Sequence, residues 1–132
     1  MWIEPIVDRT EADVKNKTPK GYCNYTDLQR IEQDAQYLAA ELGVILITKN
    51  WSMTDFPQVN QLQRIIDNVQ TVRSAYFVYQ TTPPTPSNPL NTYQKLNAIE
   101  QILADVYTLL SANKSARSYA GEIYAGQGIG VI

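Results

Sequence analysis

The four letters LQRI stand at residues 28–31 and again at residues 62–65, and LNAI stands an equal distance further on, at residues 96–99. From each leucine, alternating steps of three and four positions reach five apolar positions in each stretch. These positions are Leu28, Ile31, Ala35, Leu38 and Leu42; Leu62, Ile65, Val69, Val72 and Tyr76; and Leu96, Ile99, Leu103, Val106 and Leu110. Such spacing puts apolar side chains on one face of a helix that packs side by side with others. It predicts three core-facing helices, with Gln29 and Arg30 of the first copy facing solvent.

Signals for helix ends and breaks indicate where these three helices begin and end. Asn24 can cap the first helix and Gly43 suits the left-handed position after it, while Pro57 suits the first turn of the second. The β-branched run VILIT at residues 44–48 predicts a short buried strand. Asp8 or Thr10 can cap a shorter helix near the N-terminus.

We therefore predict a mainly α fold in one domain, an antiparallel three-helix bundle. Antiparallel packing is the simplest closure, because connections of about 15 residues can double back. The predicted parts are an N-terminal arm with a short helix (1–23), the bundle (24–112) with a Pro-rich connector (81–90), and a C-terminal β-like arm (113–132). In that arm, residues 118–124 and 129–132 predict two strands around a Gly-rich turn, as a β-hairpin or an extended arm.

The even spacing of the repeated letters, roughly 34 residues, also matches the period of tetratricopeptide repeats. Each such repeat needs two helices, whereas here the second half of each period holds VILITKNW or TTPPTPSNP. We therefore interpret the repeated letters as a core register and reject an array of helical pairs.

Composition argues against several classes of function. The chain has 11 basic and 13 acidic residues and a net charge of -2, which offers no electrostatic attraction for nucleic acid or anionic lipid. No run is apolar enough for a membrane span, and the first ten residues lack the pattern of a signal peptide, so we expect synthesis in the cytoplasm.

Catalytic chemistry has few candidates. Histidine is absent, which removes the usual general base and metal ligand. Cys23 is the one thiol, at the start of a predicted helix, and a packed or incidental cysteine is favoured over a nucleophile. The sequence GQGIG at residues 126–130 has no helix after it, which favours a turn over a phosphate loop. We predict no catalytic residue, cofactor or metal site.

Nine tyrosines and two tryptophans form a surplus of aromatic residues, most of them outside the three apolar faces. Such residues are favoured in protein interfaces, and the alternative is that they cover the bundle ends. An uncharged strand-like tail can add to a sheet edge on another subunit. The candidate partner-interface residues are Trp2, Trp51, Tyr119, Ile123, Tyr124, Ile129, Val131 and Ile132.

Several segments together resemble a known group of proteins. They are NYTDLQRIEQ, TKNW before a helix that begins near a proline, TTPPTPSNPLNTYQKLNAIEQIL and YAGEIYAGQ. The chain is similar over nearly its whole length to small structural proteins from the tail and baseplate region of phages and prophages of Gram-positive, clostridia-like bacteria. DLQRIEQ is similar to the DLNRIE helix start of tail-fibre modules, with Gln29 in place of the Asn.

The resemblance implies a virion protein without catalytic activity, made in the host bacterial cytoplasm. It implies action by self-association, as a homo-oligomer, and by docking to other tail or baseplate proteins. The alternative is a soluble adaptor or chaperone of tail assembly that the mature particle does not retain.

Overall fold

The computed structural model of the chain describes residues 2–18 and 23–124, with side chains as far as residue 113. This part of the chain contains four α-helices: α1 (Glu11–Lys15), α2 (Tyr25–Leu42), α3 (Val59–Ala75) and α4 (Tyr93–Tyr124). Helices α2, α3 and α4 pack against one another in all three pairs. The predicted mainly helical bundle is confirmed.

The apolar faces counted from the sequence form the core. All fifteen predicted positions lie in the core cluster or pack against it, and Ile31, Leu38 and Ile99 have no exposed surface. Ile66 of α3, Ile102 of α4, and Trp51 and Leu90, which lie between helices, complete the cluster. Burying each large aliphatic side chain contributes about 1.5–3 kcal/mol, so this core is the main source of stability.

Local signals set the ends of the helices. At the start of α2 the Asn24 N–H donates to the Asp27 carboxylate (2.9 Å), and Gly43 ends the helix with φ of 74°. Thr10 caps α1, as predicted. Helix α3 begins at Val59, so Pro57 precedes the helix and does not lie in its first turn.

The helices α2 and α4 run parallel. Arg30 contacts Glu100 (2.5 Å), and seven positions further along both helices the rings of Tyr37 and Tyr107 lie 6.0 Å apart. Seven positions correspond to about 10 Å of helix, so contacts that advance together on both helices require the same direction. The first and third helices of an antiparallel three-helix bundle also run parallel, so the direction of α3 decides whether the predicted arrangement is right.

Helix α3 follows the same direction as α2 and α4, so the predicted antiparallel arrangement is wrong. Glu32 of α2 pairs with Arg64 of α3 (2.6 Å), and Tyr76, just after α3, accepts a hydrogen bond from Asn113 of α4 (2.6 Å). The connections between the long helices are residues 43–58 and 76–92. An extended chain of that length reaches about 50 Å, roughly twice the length of α3, so each connection can return to the level where the previous helix began.

Each groove between two helices holds one extended segment. In the groove between α2 and α3, the Lys49 N–H donates to Glu32, and the carbonyl of Ile47 accepts from Arg64. In the groove between α3 and α4, the Pro83 carbonyl accepts from Arg73. There the Thr82 hydroxyl also donates to Asp105 of α4 (2.6 Å).

Residues 2–9 fill the third groove, between α2 and α4. The Ile3 N–H donates to Asp34 of α2 (2.8 Å) and the Ile6 N–H donates to Glu100 of α4 (3.2 Å). Further along, Arg9 exchanges backbone hydrogen bonds with the Asn97 side chain. The bundle is thus three parallel helices with an extended segment in every groove. The repeated letters are evenly spaced because each repeat consists of one helix and the extended segment that runs back to the level where the next helix begins.

The predicted strand at residues 44–48 is wrong, and the described residues contain no strand. The segment is extended but lies between two helices, whose backbone groups are already paired, so it has no strand to pair with. Ile45 and Ile47 are exposed while Val44 and Leu46 face inward. The predicted buried run is therefore buried on one side only.

The predicted strand at residues 118–124 is also wrong, because α4 continues to Tyr124. Gly121 is the one glycine in this stretch, and a single glycine costs a helix only about 1 kcal/mol. The second predicted strand, at residues 129–132, lies outside the described residues.

Candidate interaction surface

Trp2 lies half-buried on the side of the bundle. Its ring stacks on Tyr107 of α4, with 4.0 Å between centroids and 6° between planes, and it meets Tyr37 of α2 at 5.9 Å. This three-ring cluster holds the start of residues 2–9 against both helices. Part of the Trp2 ring stays accessible, so its predicted role in an interface stays a prediction.

Trp51 is a core residue. Its side chain is only 6% exposed, and its indole N–H donates to Glu32 (2.5 Å). The tryptophan anchors the first connection in the groove between α2 and α3, where the Gln29 side chain also accepts its backbone N–H (2.6 Å). The Trp51 ring has almost no surface left to offer a partner, so the structure contradicts its predicted place in an interface.

The other predicted interface residues cannot be placed as side chains. Tyr119, Ile123 and Tyr124 lie in the last turns of α4, where the backbone alone is described. Ile129, Val131 and Ile132 lie outside the described residues. Their participation in an interface stays a prediction.

The most exposed apolar group near a helix start comprises Met53, Phe56 and Val59, hereafter the start cluster. Their side chains are 79%, 87% and 72% exposed. Pro57 borders two neighbouring grooves, one that contains Met53 and one that contains Val59, and Phe56 directly precedes Pro57 in the chain. Sequence reasoning missed this cluster because it concentrated on tyrosines, tryptophans and the tail.

The start cluster lies at the end of the bundle where the helices begin. Met53 shares its groove with Tyr25 and Leu28 of the first turn of α2. The Val59 carbonyl accepts a hydrogen bond from Asn88 (3.0 Å), which lies shortly before the start of α4. The beginnings of all three long helices therefore meet beside these apolar side chains.

Polar side chains border the groove at Val59. They belong to Gln58, Asn60, Gln63, Arg64, Asp67 and Asn88. Arg64 is already paired with Glu32, whose hydrogen bond raises the pKa of the guanidinium. Amides beside an apolar floor can accept and donate to an extended peptide backbone, so the groove is chemically suited to a peptide partner.

A buried ion cluster joins residues 2–9 to the helices near the same end. Arg9 contacts Asp27 (3.3 Å) and Glu100 (2.6 Å), and Arg30 contacts the same two carboxylates at 2.6 and 2.5 Å. Desolvation acts against charge on Arg30, but its hydrogen bonds to Glu100 and Asp27 leave its pKa above the ordinary value. Arg30 therefore does not face solvent as predicted, because residues 2–9 cover that face of α2.

Asp34 is a buried carboxyl beside this cluster. One oxygen accepts the Ile3 N–H, and the other has no hydrogen-bond partner. Desolvation raises the pKa of Asp34 to about 7, with the charge of Glu100 acting in the same direction and the Ile3 hydrogen bond opposing it. The group ties stability to pH near neutrality.

The remaining candidates for chemistry offer little. Cys23 is exposed as a residue, but burial of its thiol, followed by the charge of Asp27, raises its pKa to about 11, so the thiol stays protonated at neutral pH. Within the described residues, no three acidic or cysteine side chains converge as metal ligands. No helix in this part of the chain is both long and apolar enough to cross a membrane.

Comparisons with protein-family models, with curated proteins and with solved structures find no match to this chain.

Proposed function

We propose that this protein is a non-enzymatic structural component of a phage tail, at the baseplate or the attachment region of a tail fibre. It acts by self-association and by docking to neighbouring tail or baseplate proteins. Its place is the virion, after synthesis in the bacterial cytoplasm. The segments quoted from the sequence, DLQRIEQ above all, are the basis for the assignment to tails.

The observation that carries the docking role is the start cluster. Three apolar side chains, each at least 72% exposed, lie within residues 53–59 at one end of a bundle whose own grooves are already filled. Exposing Met53, Phe56 and Val59 to water is unfavourable, and burying them against another protein would recover about 25 cal/mol per Å². A protein that acts by assembly uses such a surface to hold its neighbours.

The test is the composition of the particles. Phage tails, or tail-like particles, are purified from the source of this chain by density gradient and analysed by quantitative mass spectrometry. We expect the chain at a fixed copy number relative to the tail-tube protein. Its absence from intact particles would contradict the proposal.

The second candidate is a soluble adaptor of tail assembly that leaves before the particle is complete. The filled grooves favour it, because a bundle that buries its own core needs no neighbour to fold. An adaptor would be found in a complex with a tail protein in lysate and would be missing from finished particles. The same mass spectrometry on both fractions separates the two candidates.

A further inference from the structure

The start cluster and the far end of α4 lie at opposite ends of this protein. The start cluster lies where the helices begin, whereas α4 extends well past the end of α3. The hydrogen bond between Tyr76 and Asn113 marks the level at which α3 ends. From Asn113, α4 continues to Tyr124, about 16 Å further from the start cluster.

The segment after α4, AGQGIGVI at residues 125–132, is uncharged and contains Ile129, Val131 and Ile132. From Tyr124 back to the level at which α4 begins is about 46 Å of helix. The segment spans at most about 28 Å when fully extended. The start cluster of the same molecule is therefore beyond the reach of this segment.

We propose that residues 125–132 of one copy bind the start cluster of a second copy and join the molecules head to tail. The proposal rests on the self-association that forms part of the proposed function. Apolar side chains of the segment pack on Phe56 and Val59, and the amides of Asn60 and Gln63 bind its backbone. A segment without charge suits a cluster whose rim cation, Arg64, is already paired with Glu32.

A contact of this kind joins two different surfaces of the same protein. Such heterologous contacts either close into a ring or continue as an open series, whereas a patch that binds its own copy stops at a dimer. An open series then offers a free start cluster at one end and a free segment at the other. Tail proteins with complementary surfaces could bind at these ends.

The test uses sedimentation velocity of the full chain at increasing concentration. Wild-type protein is expected to form species larger than a dimer. Phe56→Asp, at a side chain that is 87% exposed, and the double variant Ile129→Asp/Val131→Asp should each weaken association about tenfold or more, as for loss of a central apolar anchor. Phe77→Asp is the matched control, since Phe77 is 70% exposed but follows the far end of α3, and it should leave association unchanged.

Mixing the two defective variants is the decisive arm. Phe56→Asp keeps an intact segment and Ile129→Asp/Val131→Asp keeps an intact start cluster, so the mixture should form a one-to-one dimer that grows no further. A mixture that stays monomeric overturns the proposal, as does a double variant that associates like the wild type. A wild-type monomer at every concentration, in a chain still found in particles, overturns this contact and leaves the proposed function standing. Head-to-tail association of a chain that is missing from particles supports this contact and overturns the proposed function.

Discussion

Every buried carboxylate of the described residues accepts a hydrogen bond from a donor outside its own helix. The pairs are Asp27 with Arg9, Glu32 with Trp51, Asp34 with Ile3, Glu100 with Ile6, and Asp105 with Thr82. The acidic side chains thereby hold the extended segments in their grooves. Removing one partner leaves a polar group buried without compensation, which costs more than the pair contributes when complete.

Asp34 should make stability depend on pH. Its pKa is about 7 in the folded protein and near 3.8 when unfolded, so the unfolded chain releases this proton first as pH rises. Stability contributed by the neutral carboxyl is present at low pH and is lost as pH rises towards 7, at about 1.4 kcal/mol per pH unit. Asp34→Asn removes this dependence.

We therefore expect Asp34→Asn to gain roughly 2–3 kcal/mol relative to wild type between about pH 5 and pH 8. Urea denaturation at both pH values measures the free energy of unfolding. Asp67→Asn, at an exposed carboxylate of α3, is the control. Equal pH dependence in wild type and Asp34→Asn would show that Asp34 does not titrate in this range.

Glu100→Gln should destabilise the protein by about 3–5 kcal/mol, because it leaves two buried guanidinium groups with one carboxylate between them. Glu100 is 1% exposed and contacts both Arg9 and Arg30. Glu4→Gln removes the same charge at an exposed position of residues 2–9. Guanidinium denaturation of both variants separates the effect of removing a buried charge from the effect of changing the net charge. Similar free energies of unfolding for the two variants would contradict the stabilising role of the buried ion cluster.

At the scale of elements, the course of the helices is the main structural result. The register of alternating three and four steps predicts which side chains each helix buries, but it carries no information on direction, because the same apolar face suits parallel and antiparallel neighbours. Connection length does carry this information. Antiparallel neighbours need only short loops, whereas the connections at 43–58 and 76–92 are each long enough to return along a whole helix.

Spin labels can measure helix direction. In a Cys23→Ser background, one label at Asn60→Cys on α3 is paired with a second at either Gln94→Cys or Ser111→Cys on α4, all at exposed positions. The two α4 sites are about 25 Å apart along the helix. In the parallel bundle the 60–94 distance is the shorter one by double electron–electron resonance, and the opposite order would restore the antiparallel arrangement.

At the scale of the whole molecule, the apolar core could be predicted from the sequence, whereas the extended segments that cover the helices could not. Periodicity identifies Leu28, Ile65 and Ile99 as core residues, because it depends only on neighbours in sequence. Arg30 was predicted to face solvent, and nothing local to it in the sequence shows that residues 2–9 lie above it. The start cluster was missed for a similar reason, since exposure of Phe56 depends on how the chain turns into α3.

Truncation after Ala125 tests the place of the tail in the whole molecule. Because residues 126–132 are proposed to contact a second copy, their loss should leave the melting temperature of the monomer unchanged, within about 2 °C, while association is lost. Differential scanning calorimetry at low protein concentration measures the first effect. A large drop in melting temperature would place the tail in the core of its own chain.

The parallel course of the helices also determines how quickly the chain can find its structure. In an antiparallel bundle, neighbouring helices close as hairpins and their first contacts are local. Here the aligned partners Glu32 and Arg64 are separated by a whole helix and its return, and Arg30 and Glu100 by two such units, so each contact requires closing a long loop. Loop closure of this kind slows folding, and this protein should fold more slowly than other helical bundles of its size.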